Sequence, residues 1–485
     1  MPDAIEGLKP PLVWKYFAEV VRIPRCSKHE EKIRQYVVDT AKRLGLKSRV
    51  DAVGNVVVKK PASPGKERVK RICLQGHLDM VCEKNKDKVH DFSKDPIILV
   101  RKGNMLTADG TTLGADNGIA VATNLAIMED KSLVHGPLEF LFTIDEETGL
   151  TGAGGIPADF LESRTMMNLD SEEEGALYVG CSGGRDTKGS WKLETDPAPK
   201  GAVAAKLTVT GLKGGHSGLE IDKGRGNAVK ILTRALLALE QLGVRVASME
   251  GGNKHNAIPR EADATVFVPA KAWSDAEKVV NDFAMAAKAE VATVDPGLSV
   301  TLGKLDGKKP NKVIRKAQLS KLLKAISALP HGVTKMSADI PGLVETSTNV
   351  AVVATERGAV KVVTSQRSSV ASEIDEIAHT VKSVFELAGA KVEQGDGYPG
   401  WKPNMKSPIL KLAKQTYKEL YGKEPEVKAI HAGLECGIIG ERIGGMDMLS
   451  FGPTMEGVHS PDERLHIDTV ERFWNFVLAI LKNVN

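Results

Sequence analysis

The segment from Leu138 to Ile144 is a short, mostly apolar run that passes directly into Asp145-Glu146-Glu147-Thr148-Gly149. A run of that length bounded by polar residues reads as a central strand of a sheet. Three adjacent carboxylates at the end of a buried strand are costly unless something positive neutralises them. A metal cluster does so and leaves one carboxylate free as a general base; the other reading is a solvated acidic turn. In open α/β sheets, ligands gather outside the carboxyl ends of the strands.

The first part of the chain supplies neighbours for this strand. Arg71 to Gln75 reads as a second central strand, Ile119 to Met128 as a helix between the two, and Met166 to Leu169 as another strand. Leu12 to Ile23 and Lys28 to Leu44 have helical spacing, and the second ends at Gly45. Asp51 to Lys59, with Val53, Val56, Val57 and Val58 around Gly54-Asn55, suggests a hairpin-like strand. Strands alternating with helices predict an α/β layered domain with a mostly parallel sheet.

Near residue 200 the pattern changes. Asp196 to Gly201 reads as a linker, Ala204 to Thr210 as a strand and Asn227 to Leu242 as a helix. A further helix is expected at Ser274 to Val291, with Ser274 as its N-cap. From Val313 the order resembles itself: helix, strands at Thr348 to Ala354 and Val360 to Ser365, helix at Ser372 to Leu387. From about Tyr398 the first style returns, with a strand at Asp447 to Ser450 and a helix at Thr469 to Leu481. The expected organisation is a catalytic domain in two pieces, 1–202 and 391–485, with an inserted α+β lid domain of two similar modules at 203–390.

Four further segments carry candidate chemistry. His77 follows a strand, and Asp79 two residues on could hold its second ring nitrogen; the alternative is a structural histidine. Asp116 precedes a helix, where it could be a ligand or a plain cap. Asp170 stands at a strand end, and His459 lies in Gly457-Val458-His459-Ser460-Pro461-Asp462-Glu463. Each alone also fits a polar turn. Together they give two histidines and several carboxylates, mostly at strand ends of one expected sheet. Mixed nitrogen and oxygen ligation without cysteine suits zinc, with manganese or cobalt as substitutes.

The remaining numbers exclude more than they assert. A chain of 485 residues is too long for one core. With 42% hydrophobic and 26% charged residues it has globular composition, and a net charge of +4 gives no reason to expect nucleic acid or a membrane surface as partner. The N-terminus has no basic start followed by an apolar run, and Phe473 to Leu481 is too short to span a bilayer. The five cysteines, Cys26, Cys73, Cys82, Cys181 and Cys436, are odd in number and form no CxxC pair, so reduced thiols are expected rather than a disulfide framework.

In order and spacing, the set HLDM (77–80), GADNG (114–118), DEETG (145–149), NLDSE (168–172) and GVHSPDE (457–463) resembles the M20 metallopeptidases, specifically their aminoacyl-histidine dipeptidase branch. Gly214 to Gly218, Asn256 to Glu261 and His431 to Gly437 match as well, so the resemblance runs over essentially the whole chain. It implies an α/β fold with a zinc-peptidase-like mixed sheet and helices on both faces. It also implies two zinc ions per subunit, one held by His77 and Asp170, one by Glu147 and His459, with Asp116 bridging and followed by a cis peptide bond. Asp79 would orient His77, and Glu146 would be the general base. His216 would stabilise the oxyanion when the lid closes. Asn256 and Arg367 would bind the substrate's backbone and terminal carboxylate, and His431 and Glu435 would line the pocket. The implied function is hydrolysis of Xaa-His and related dipeptides by a cytoplasmic monomer or homodimer, without nucleic acid or membrane partners. The rival readings are an N-acyl-amino-acid amidohydrolase, a broader di- or tripeptidase, and a non-catalytic binding protein on the same scaffold.

Overall fold

A computed structural model describes residues 2–356 and 358–485. The chain divides into two compact units, one of residues 1–181, 401–429 and 434–485, the other of 182–400 and 430–433.

The first unit is built on an eight-stranded sheet in the order Lys47–Val50, Val56–Lys60, Leu138–Thr143, Ile72–His77, Thr165–Asn168, Asp447–Ser450, Ala176–Cys181, Glu426–Ile430. The middle is parallel: Ile72 to His77 lie opposite Leu138 to Thr143, Cys73 to Gln75 opposite Met166 to Asn168, and Asp447 to Ser450 opposite Thr165 to Asn168. The flanks at Lys47–Val50, Val56–Lys60 and Ala176–Cys181 pair antiparallel, so the sheet is mixed rather than mostly parallel. Parallel register has one consequence for chemistry: the chain leaves His77, Thr143 and Asn168 at the same end of the sheet. The helix Ala115–Glu129 is buried from Ala115 to Met128. Most of its residues are apolar, although Asp116, Asn117, Thr123 and Asn124 are buried with them, and each of Ile119, Val121 and Leu125 contributes about 1.5–3 kcal/mol by leaving water.

Two local expectations are corrected here, and one element is added. The hairpin has its arms at Lys47–Val50 and Val56–Lys60, and Asp51 closes the turn by accepting the amide hydrogens of Val53, Gly54 and Asn55 at 3.1, 2.8 and 2.9 Å. Val53 therefore sits in the turn, not in a strand. A four-stranded sheet of Met455–Glu456, Arg464–His466, Met105–Ala108 and Leu99–Lys102 has no counterpart in the sequence reading. Cys26 and Cys82 form a disulfide, whereas free thiols were expected; a parallel bridge between Cys26 and Met80 brings the two Cα atoms within 5.7 Å across 56 residues of sequence. Cys73, Cys181 and Cys436 are free and buried.

The second unit carries a nine-stranded sheet in the order Ser299–Lys304, Ala202–Thr210, Ala262–Pro269, Arg245–Gly251, Val344–Glu356, Ala359–Ser368, Gly183–Lys192, Lys391–Gln394, with Gly332–Met336 also on Val344–Glu356. Its core joins this sheet to the helices Ala228–Glu240, Lys316–Ala328 and Ala371–Leu387 through residues such as Leu232, Leu236, Leu322, Val353 and Phe385. Among the described residues, the two halves of the sheet meet where Glu250 and Gly251 pair with Ala354 and Val353. Asp196, expected in a linker, lies in the strand Thr195–Pro197, which pairs with Lys312–Ile314. The helix Trp273–Val291 begins one residue before Ser274, follows a 3-10 turn and has no side-chain cap, so Ser274 is not its N-cap. Among the described residues, no helix is long and apolar enough to cross a membrane.

Candidate metal centre

The parallel strand ends deliver the first ligands. His77 closes its strand with 1% of its surface exposed. A Cβ on the preceding Gly76 would meet Asn117 Oδ1 at 2.5 Å and Ala120 Cβ at 2.8 Å, so glycine is required for the helix to approach. Asn117 uses that closeness: its Oδ1 accepts the His77 amide hydrogen at 3.2 Å and its Nδ2 donates to the Leu169 carbonyl at 2.9 Å. The peptide bond between Asp116 and Asn117 is cis, and the first turn of the helix is interrupted there by non-helical Asp116 and Asn117.

Asp116 divides its carboxylate between two histidines. Oδ1 lies 3.0 Å from His77 Nε2, and Oδ2 lies 3.1 Å from His459 Nε2. Each histidine has one more carboxylate on the same nitrogen: Asp170 Oδ1 at 3.3 Å from His77 and Glu147 Oε2 at 2.8 Å from His459. The five side chains sequence reasoning chose as ligands thus come together as His77, Asp116 and Asp170 on one side, and Asp116, Glu147 and His459 on the other, with ligand atoms of each group within 4.8 Å of one another.

Asp79, fully buried, organises both sides. Its Oδ1 lies 3.3 Å from His77 Nδ1 and its two oxygens accept the amide hydrogens of Glu146 and Glu147 at 3.1 and 3.2 Å. Ser27 donates to the same carboxylate at 2.8 Å. Burial pushes Asp79 up, but His77 and these hydrogen bonds outweigh it and hold its pKa down at about 2. Of the three adjacent carboxylates, Asp145 takes a left-handed conformation and accepts from the hydroxyls of Thr148 and Thr151. Glu147 joins the histidine. Glu146 has no hydrogen-bond partner on its carboxylate among the described residues, and burial raises its pKa well above the ordinary value.

The donor set fits a pair of divalent cations. Asp170 Oδ1 and Glu147 Oε1 are buried without a hydrogen-bond partner, which is expensive unless a cation takes them. Burial pushes Asp170 up to about 6. Burial opposes protonation of His77, yet Asp170, Asp116 and Asp79 outweigh it and raise its pKa well above normal. Both shifts follow from negative charge gathered in a buried site.

The second unit holds the other candidates. His216 Nδ1 accepts the amide hydrogens of Gly218 and Leu219 at 3.2 and 3.1 Å, so the proton of the neutral ring sits on Nε2. Burial, then Arg367, lowers its pKa to about 4. His216 and Asn256 line a cavity of about 690 Å³ together with Gly215, Ile258 and Arg260. Arg367 is 7% exposed; its Nη1 donates to the Tyr398 hydroxyl at 3.0 Å while its Nε lacks a partner. His431 is bound through Nε2 to the Ser347 hydroxyl at 2.7 Å. Glu435 belongs to the first unit, is fully buried, and accepts from Gln75 Nε2 at 2.6 Å and the Thr143 hydroxyl at 2.7 Å. Both therefore contact the protein itself.

Sequence reasoning missed Tyr398, Ser347, Arg25 and the role of Glu463. Glu463 lies four residues after His459 in the same motif, a signal available but not used; Arg25 offers none.

Residues 73–483 match the profile of peptidase family M20/M25/M40. The chain is 42% identical over 481 residues to the cytosol non-specific dipeptidase of Escherichia coli K12, covering 99% of each. Among solved structures it is similar to the aminoacylhistidine dipeptidase of Vibrio alginolyticus, with a TM-score of 0.91 and 43% identity over 99% of this chain and 98% of that one. Aminopeptidase PepT of Bacillus cereus, 17% identical with a TM-score of 0.57 over 98% of this chain and 99% of its own, shares the fold.

Proposed function

The chain belongs to peptidase family M20/M25/M40, and we propose that within it the protein is a dinuclear-metal dipeptidase acting on Xaa-His and related dipeptides. The observation that carries this reading is Asp116, whose two carboxylate oxygens each face a histidine that has a further carboxylate beside it. His77, Asp116 and Asp170 would hold one ion, and Asp116, Glu147 and His459 the other. Zinc is the first choice, with manganese or cobalt as substitutes. When bound, such ions supply Lewis acidity, lowering the pKa of water and polarising a carbonyl.

The chain's own residues do the rest. Glu146 is the carboxylate left outside the ligand set, and its raised pKa suits a group that takes a proton from water and returns it to the departing amine. Asp79 holds that carboxylate's backbone and the His77 ring with one side chain. The neutral Nε2–H of His216 is a donor suited to the oxygen that becomes negative as the carbonyl is attacked. Arg367, buried with an unpartnered Nε, suits the terminal carboxylate of a dipeptide, and Asn256 its backbone. The family resemblance assigns His431 and Glu435 to the lining of the substrate pocket. A relative named as a cytosol enzyme supports a cytoplasmic location. The active form is a monomer or a homodimer.

The test is hydrolysis of β-Ala-His and several α-Xaa-His dipeptides, with non-histidine dipeptides, N-acetyl-histidine and a tripeptide alongside. Cleavage confined to dipeptides supports the reading, and the ratio of histidine to other dipeptides sets its breadth. Cleavage of N-acetyl-histidine in preference to every dipeptide would replace it with an amidohydrolase, and no cleavage by metal-loaded protein with a scaffold.

A further inference from the structure

Glu463 is 2% exposed and spends its whole carboxylate on the backbone that carries Asp116. Oε2 accepts the amide hydrogens of Leu113 at 2.7 Å and Gly114 at 2.9 Å; Oε1 accepts those of Ala115 at 2.7 Å and Asp116 at 3.2 Å. Its own backbone is fixed on the other side. The Glu463 amide donates to Ser460 at 3.1 Å, and its carbonyl accepts the Thr107 hydroxyl at 2.9 Å. The next residues, Arg464–His466, pair with Met105–Ala108. The loop Gly457–Glu463 that presents His459 and the loop 113–116 that presents Asp116 are thus joined through one side chain, although 343 residues separate the two ligands.

Arg25 closes the arrangement from beneath. It is 1% exposed, and its Nη1 donates to the carbonyls of Leu78 at 3.0 Å and Asp79 at 2.6 Å, while Nη2 donates to the carbonyl of Gly114. A Cβ on Gly114 would stand 2.6 Å from that Nη2, and Gly114 has a φ of +69°, so the position is reserved for glycine twice over. The guanidinium therefore ties the loop after His77 to the loop before Asp116; burial disfavours its charge, and Glu463, followed by Asp79, opposes that most strongly. No other carboxylate among the described residues accepts four backbone amides. Nor does either charge touch substrate-binding residues, so a merely solvated or catalytic role explains neither.

We propose that Glu463, braced by Arg25, is a positioning residue: it presets the bridging carboxylate of Asp116 against His459 and so determines how tightly the ion between Asp116, Glu147 and His459 is held. The inference rests on the metal reading above. Replacing Glu463 by Gln keeps the size but turns one oxygen into an NH2 group, so two of the four amide hydrogens face another donor. Partners of metal ligands at this remove typically change affinity about 10–100-fold.

The test compares three full-length proteins: wild type, Glu463→Gln and Glu139→Gln. Glu139 is an internal control, a fully buried carboxylate away from the site that accepts the amide hydrogens of Glu162 at 3.1 Å and Ser163 at 2.8 Å and the Ser163 hydroxyl at 2.6 Å. After chelation, Zn2+ is titrated against a competing chelator, and Co2+ absorption is recorded at one and two equivalents. Glu463→Gln should weaken one of the two binding steps, that of the ion between Asp116, Glu147 and His459, about 10–100-fold and alter the Co2+ spectrum of that step. Glu139→Gln should lose thermal stability but bind both ions as wild type does. Equal binding by all three proteins, or equal weakening in both variants, overturns the proposal. If Glu463→Gln yields no folded protein, Arg25→Lys decides: it keeps the charge but not the fork, so weaker binding of the same ion supports the proposal and unchanged binding overturns it. Wild type that binds fewer than two ions overturns the metal reading itself, before any variant is compared.

Discussion

In the first unit, His77 stands among Asp79, Asp116 and Asp170, and His459 between Asp116 and Glu147. Both have raised pKa values, His459 to about 11 through its contacts with Asp116 and Glu147. In the second unit, His216 accepts from two backbone amides and His431 contacts a serine hydroxyl. Burial, followed by Arg367, lowers their values to about 4 and about 3. The same residue type is set to opposite tasks by its surroundings. The first unit collects negative charge that a cation would complete. The second keeps neutral imidazoles beside a buried guanidinium, which in the proposed function would meet the oxygens and carboxylate of a peptide.

The contrast breaks most completely at Asp116. Asp116→Ala removes the one carboxylate shared by both histidines, so metal analysis should find both ions lost and turnover gone; wild-type metal content with wild-type turnover would remove Asp116 as the bridge. Glu146→Gln should separate chemistry from ligation, with two ions retained and kcat reduced by about 10³-fold, within the range of a lost general base. Loss of both ions in that variant would return Glu146 to the ligand set.

Smaller effects sharpen the other side. His216→Gln should lower kcat by about 10²-fold or more with little change in KM, as for a donor used mainly in the transition state. An unchanged kcat retires that role. His431 is neutral in the folded protein down to about pH 3, whereas its unfolded value is 6.5. Between those values the unfolded chain binds the extra proton, so its contribution to stability is present above about 6.5 and is lost as pH falls toward the folded value. Hydrogen exchange of the Val344–Glu356 amides, followed from pH 7 to pH 4.5, should quicken beyond the intrinsic rate change in wild type and less so in His431→Gln. Equal slopes in the two proteins would show that other groups carry the acid sensitivity.

Much of the first unit is legible in its sequence because its signals are coincident. A buried strand running into Asp145-Glu146-Glu147 is hard to reconcile with solvent alone, and the parallel register sends His77 and Asp170 to the same sheet end. What escapes is what has no local signature. Leu99–Lys102 and Met105–Ala108 are four-residue strands of mixed composition, too short to show a period. Glu463 follows Ser-Pro-Asp, where a carboxylate ordinarily meets water, and only the fold turns it onto four amides. Arg25 sits between proline and cysteine with nothing to mark it as buried. Ser274 is a good cap by residue type, but the preceding 3-10 turn has already started the helix. The Cys26–Cys82 pair depends on a bridge between distant segments, which cysteine spacing cannot reveal.

The most direct measurement is a stoichiometric metal titration of the chelated protein, with β-Ala-His and Ala-His hydrolysis read at each addition. A centre bridged by Asp116 predicts no turnover without metal, little at one equivalent, and full recovery as the second Zn2+ binds. Full turnover by the chelated protein, or at a single bound ion, would contradict it.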